Sequence, residues 1–238
     1  MTTSAKEISV GQLVAQRPAA ASVLERVGID YCCGGGKTLS EACQAKGIDP
    51  ADLLDQVAAA EQKVDQLQTD QRTNWLDRSL TELCDHIEQT HHAYLKEELP
   101  RLSELIAKVV TAHGDRHPSL RDVQQVFAAL RAELEPHMMK EERILFPAVR
   151  QLEQASGQRI AFPFGSVANP ILMMEHEHDV AGDALKQLRA LTSDYTPPSN
   201  ACNTYRVMLD SLQRLEADLH QHIHEENNIL FPRAMQLE

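Results

Sequence analysis

Beyond residue 73, apolar positions advance by threes and fours along most of the chain, the period of helices that bury one face. The clearest run is Leu120, Val123, Phe127, Leu130, Leu134, His137, Glu141 and Ile144; another is Tyr205, Met208, Leu212, Leu215, Leu219, His222, Glu226 and Ile229. In both, a histidine and a glutamate stand inside the apolar stripe. A third stripe joins Ile171, Met174, His178, Ala181 and Leu185, while His176 projects roughly 160° away from it at about 100° per residue. In the first stripe Leu80, Leu83 and Ile87 lead to His91, whereas Leu95 and Leu99 follow His92. Turn-rich segments at 113–119, 155–170 and 192–203 separate the four patterns. Residues 75–238 therefore read as an up-down four-helix bundle. Ahead of it, residues 1–65 read as a small module of four short helices, with stops at Gly28 and Gly47 and a start at Asp49-Pro50. The polar segment 66–74 reads as a linker that lets the module move.

The polar members of the stripes carry the chemistry. His137-Met-Met-Lys-Glu141-Glu-Arg-Ile-Leu-Phe-Pro147 recurs as His222-Ile-His-Glu-Glu226-Asn-Asn-Ile-Leu-Phe-Pro232, an offset of 85 residues (222 minus 137). A four-residue step puts His and Glu on one helix face. Two such helices facing one another bring two imidazoles and two carboxylates around one point, a donor set that suits iron or manganese better than a thiolate-seeking metal. Between neighbouring acids the repeat chooses Glu141 and Glu226, because Glu142 aligns with Asn227 and Lys140 with Glu225. The stripe admits both His91 and His92; spacing favours His92, since 137 minus 92 is 45 and 222 minus 178 is 44. Four imidazoles and two carboxylates exceed one tetrahedral zinc and match two ions sharing carboxylates. Glu88, Glu133 and Asp218 each lie four residues before one of these histidines and are the expected acceptors for the second ring N–H.

Composition narrows the setting. Apolar residues at 42% with only 4% aromatics favour an all-α protein, and a net charge of −12 argues against nucleic acid or an anionic membrane as partner. No apolar stretch approaches the ~20 residues of a membrane span, and the N-terminus lacks the apolar core of a signal peptide, so a cytoplasmic location is expected. Five cysteines without a C-x-x-C do not describe a disulfide framework. Cys32-Cys33 lie in a Gly-rich turn at a helix boundary, where backbone amides lower a thiol pKa, and are the candidate functional thiols. Cys43, Cys84 and Cys202 are assigned to packing, and His86, His113 and His117 to the surface or to helix ends.

From Thr73 onward the chain resembles a hemerythrin-like bundle. With Asp30-Tyr-Cys-Cys-Gly-Gly35, HMMKEERILFP, MEHEHDVAG and HIHEENNILFP, nearly the whole chain resembles the repair-of-iron-centres family, di-iron proteins of iron–sulfur cluster repair. The resemblance implies an oxo- and dicarboxylate-bridged pair of iron ions held by His92, His137, Glu141, His178, His222 and Glu226, and it selects His92 over His91. It implies as partners iron–sulfur proteins damaged by nitrosative or oxidative stress, with nitric oxide or oxygen as small ligands, and it leaves room for a homodimer. Nitric oxide reduction at the same centre, or a carrier or sensor role, are the competing functions; the carrier has no use for Cys32-Cys33. The chain departs from the family pattern at Gly36 and Pro136, neither of which is a ligand.

Overall fold

The computed structural model describes residues 7–66, 74–155, 157 and 159–238. Of the expected linker only Gln66 and Asn74 fall among them. The described residues form helices and no strand, with isolated bridges at Ser9–Thr38 and Phe162–Gly165.

Four short helices come first: α1 (Val10–Gln16), α2 (Ala20–Val27), α3 (Leu39–Lys46) and α4 (Pro50–Gln66). Ser9 with Gln12, and Thr38 with Glu41, form reciprocal capping boxes that start α1 and α3. Gly28 and Gly47 end α2 and α3 at φ 68° and 67°, a left-handed conformation that only glycine adopts without cost. Val10, Leu13, Val23, Leu24, Leu39, Leu53 and Val57 close a core of their own.

Each long bundle helix but one is interrupted. The first comprises α5 (Leu80–Ile87), a π-helical turn at Glu88–His92 and α6 (Ala93–His113). The second comprises α7 (Ser119–Lys140), a π turn at Glu141–Leu145 and α8 (Phe146–Ala155); the third is the unbroken α9 (Ala168–Leu191). The fourth comprises α10 (Asn203–Glu225), a π turn at Glu226–Leu230 and α11 (Phe231–Leu237). Pro147 and Pro232 follow the second and third π turns at the same register. Having no N–H, each proline breaks the regular hydrogen-bond ladder there, so the shared Ile-Leu-Phe-Pro marks distortions within continuing helices. Pro136, by contrast, lies inside α7 without ending it.

The bundle interior has three layers. One apolar cluster contains Leu95, Leu134, Met138, Ala181 and Leu219; a second contains Ile87, Leu145, Phe146, Met174, Ile229 and Phe231. Between them, on all four helices, lie the buried polar residues His92, His137, Glu141, His178, His222 and Glu226, none more than 2% exposed. Apolar layers above and below exclude water from this polar layer, which raises the cost of leaving any of its groups unpaired.

Candidate metal centre

Both recurring glutamates open a π turn, immediately after the helix that carries their histidine. A π turn widens the helix by one residue and re-aims the side chains at its start, which is why such turns cluster at functional sites. His92 closes the π turn of the first bundle helix. The third helix delivers His178 from regular α geometry.

These six side chains converge. Glu141 Oε2 lies 3.3 Å from both His92 Nε2 and His137 Nε2. Glu226 Oε2 lies 3.1 Å from His178 Nε2, and its Oε1 lies 3.2 Å from His222 Nε2. The donors form two groups able to hold an ion, His92, Glu141, His222, Glu226 and His137, Glu141, His178, Glu226, and both glutamates belong to both. Donors at bonds of about 2.1 Å that subtend right or tetrahedral angles stand about 3.0 to 3.4 Å apart. Both oxygens of Glu141 and of Glu226, and the Nε2 atoms of His92 and His222, are buried without a hydrogen-bond partner. Protein interiors rarely tolerate one such orphan, and here a cluster of them faces one place. That is the donor set of a cation site.

The electrostatics follow from burial against pairing. Burial opposes ionisation of Glu141, but His137 and His92 hold its carboxyl well below the usual range. Burial and Glu141 both push the Glu226 carboxyl up, and His222 and His178 reverse this to a net lowering. His137 is pushed down by burial yet ends raised to about 9 by Glu141, Glu226 and Glu177. His222 is lowered, because complete burial outweighs Glu226 and a facing His92 opposes a second charge.

The acceptors that orient the rings differ from those expected. Glu133 is exposed on α7, Glu88 pairs with Arg150 at 2.8 Å, and Asp218 accepts from His91 Nδ1 at 2.9 Å. None hydrogen-bonds the histidine one turn onward: His92 and His137 turn Nδ1 toward a neighbouring helix, and His222 Nδ1 has no hydrogen-bond partner. His92 Nδ1 donates to Glu142 Oε1 at 2.8 Å, His137 Nδ1 to Glu177 Oε2 at 2.8 Å and His178 Nδ1 to Asn227 Oδ1 at 2.7 Å. Glu142 and Asn227 occupy the same place in the repeat, one residue after the recurring glutamate. They differ as letters and agree as acceptors, so identity matching passed over them.

The small module meets the centre from one side. Cys33 is half-buried and its thiol donates to the carbonyl oxygen of His178 at 3.5 Å. Cys32 is buried, with its thiol donating to Asp30 Oδ1 at 3.3 Å. The expected lowering of the thiol pKa does not hold for Cys32: its hydrogen bond with Cys33, burial and nearby Asp30 all push it up. Asn228 Nδ2 donates to the carbonyls of Tyr31 at 3.3 Å and Cys32 at 3.2 Å. A Cβ at Gly11 or Gly35 would stand 2.1 or 2.2 Å from Asn228 Oδ1, so glycine is required at both for this approach. Among the remaining cysteines, Cys43 and Cys84 are fully buried as expected. Cys202 is exposed beside His113 Nε2 at 3.1 Å, because it precedes α10 outside the bundle core. His86 stands in the last turn of α5, half-buried and 3.5 Å from Glu225.

A four-helix bundle with a buried layer of imidazoles and carboxylates on facing helices defines a cation-binding bundle protein. The hemerythrin HHE cation binding domain matches residues 85–234, and a domain described as of unknown function (DUF542) matches residues 6–61. The chain is 37% identical over 228 residues to the iron–sulfur cluster repair protein YtfE of Enterobacter sp. (strain 638), covering 95% of this chain and 96% of that protein. It is 37% identical over 229 residues to the protein of that name in Escherichia coli O81 (strain ED1a), covering 95% and 96%. The counterpart in Musicola paradisiaca is 36% identical over 230 residues, covering 97% of each chain. The chain belongs to the family of these iron–sulfur cluster repair proteins, whose bundle is of the hemerythrin type, and that type implies iron as the bound metal. No helix among the described residues is long and apolar enough to cross a membrane.

Proposed function

We propose that this protein repairs damaged iron–sulfur clusters by supplying iron from a pair of ions held by His92, His137, Glu141, His178, His222 and Glu226. The observation that carries the reading is the pair of four-donor groups sharing both glutamates, with both carboxylates buried and unpartnered. When bound, two iron ions there supply labile ferrous iron and one-electron chemistry. Glu141 and Glu226 neutralise both ions from a dry layer, and Glu142, Glu177 and Asn227 fix the rings of His92, His137 and His178. The organisation we propose is a module over 1–65, a linker over 66–74 and a bundle over 75–238, with damaged iron–sulfur proteins as cytoplasmic clients. Cys32 and Cys33, the latter with its thiol against the backbone of His178, serve the client or the iron leaving the centre rather than holding the ions at rest.

The test loads the full chain anaerobically with ferrous iron and mixes it with an apo iron–sulfur protein. Stoichiometric loss of iron to the acceptor, with a cluster assembled there, is expected. Turnover of nitric oxide with no loss of iron would replace supply by catalysis at the same residues.

A further inference from the structure

A second group of ligating side chains lies beside the centre and outside it. His86 Nε2 is 3.5 Å and His91 Nε2 3.6 Å from one atom, Oε2 of Glu225. His91 is 4% and Glu225 2% exposed, yet His91 Nε2 and Glu225 Oε2 have no hydrogen-bond partner. Both separations are too long for hydrogen bonds and close to the span of donors around one ion with bonds of about 2.1 Å.

Every member is also oriented as metal ligands are. His91 donates its Nδ1–H to Asp218 at 2.9 Å, the carboxylate–histidine arrangement that fixes a ligating ring. His86 has Nδ1 against Thr90 Oγ1 at 3.3 Å, and Glu225 Oε1 accepts from Gln221 at 2.8 Å. Nothing in the proposed two-ion centre requires these three residues. His86, Glu225 and Gln221 line a cavity of ≈ 410 Å³ that extends along Trp75, Tyr31 and His224. On the inner side, the His91 ring lies flat on His222, with centroids 5.2 Å apart and planes within 1°.

We infer that His86, His91 and Glu225 form a further binding site for a single ferrous-type divalent cation, placed between the two-ion centre and the open cavity. Two imidazoles and one carboxylate on one face, with remaining positions open to the cavity, are the donor set that non-haem ferrous iron takes. Coordination positions left open by three protein donors give an incoming ligand access to the ion. Iron moving from the centre to a client passes here without a change of oxidation state. That role rests on the supply reading above; the site does not.

The experiment uses the full chain filled with two ferrous ions of natural isotope abundance, freed of excess metal, then given isotopically labelled ferrous iron under equilibrium dialysis. A third ion is expected, with its own high-spin ferrous Mössbauer signal. His86→Ala should keep two ions and lose the third; Asp218→Asn should keep two and weaken the third about tenfold. Wild-type protein that saturates at two, or His86→Ala that still binds the third ion equally well, overturns the site. Delivery to an apo acceptor should slow in His86→Ala, and unchanged delivery overturns the exit role. Delivery by a wild type holding only two ions would discard the site and leave the supply reading standing. A third ion with no delivery would do the reverse.

Discussion

The two halves of the bundle supply matching ligands and opposite surroundings. His178 and His92 correspond at an offset of 86 (178 minus 92), which aligns Glu177 with His91, and the offset of 85 aligns Lys140 with Glu225. In one half Lys140 pairs with Glu177, and Glu177 holds His137 Nδ1. In the other the signs are exchanged: Glu225 faces His91, and His91 stacks on His222, whose Nδ1 has no hydrogen-bond partner. What repeats is the geometry of the donors; what differs is the environment just outside them. One half is sealed by an ion pair, and the other leads through His86 to a cavity. The difference also appears in the rings, with His137 raised to about 9 and His222 lowered.

The largest expected effect tests the likeness. Glu141→Ala or Glu226→Ala removes a carboxylate that belongs to both four-donor groups, so each variant should lose both ions by metal analysis. Retention of two irons in both variants would end the shared-carboxylate description. Next, His92→Ala should lose an ion from its own group while His91→Ala keeps two. The opposite ranking would show that the register between the first and third helices is wrong.

A smaller effect tests the orienting residues. Glu142→Ala and Asn227→Ala should each weaken metal affinity about tenfold, as loss of a partner to a ligating ring does. Competition with a chelator reads this directly. If the two variants differ widely, equal placement in the repeat does not mean equal work. The smallest effect concerns the module: Gly35→Ala drives a Cβ against Asn228 and against the Tyr31 carbonyl at 2.7 Å. Alkylation of Cys33 should then speed up while iron content stays unchanged; an unaltered rate would mean that the loop absorbs the clash.

The helices, their order and the converging donors were legible because each ligand sits in an apolar stripe, and burial imposes a period on sequence. His91 and His92 share the first stripe for a physical reason: a π turn spans both and buries both, so the regular helix period no longer separates them. Glu142, Glu177 and Asn227 were hidden because their partners lie across the bundle, 50, 40 and 49 residues away in sequence. A pattern within one helix cannot report such a pairing. The same reason misdirected the expectation for Glu133, Glu88 and Asp218, which rested on the four-residue step within a helix. Cys32 misled for another reason. Its turn supplies the glycine amides that the sequence promises, but Gly34 N donates to the Asp30 carboxylate at 3.0 Å and Gly35 N to the Cys32 carbonyl at 3.4 Å, not to the thiol.

The π turn at Glu226–Leu230 opens with three consecutive residues of different duty. Glu226 belongs to both donor groups, Asn227 orients His178, and Asn228 grips the carbonyls beside Cys32. Neighbouring Cα atoms are about 3.8 Å apart along a nearly rigid peptide, so these three side chains share one short piece of backbone. A shift of that backbone would therefore move the buried carboxylate, the ring acceptor and the grip on the thiol loop together. In the vocabulary of machines, the turn is a common mount for three parts of different duty.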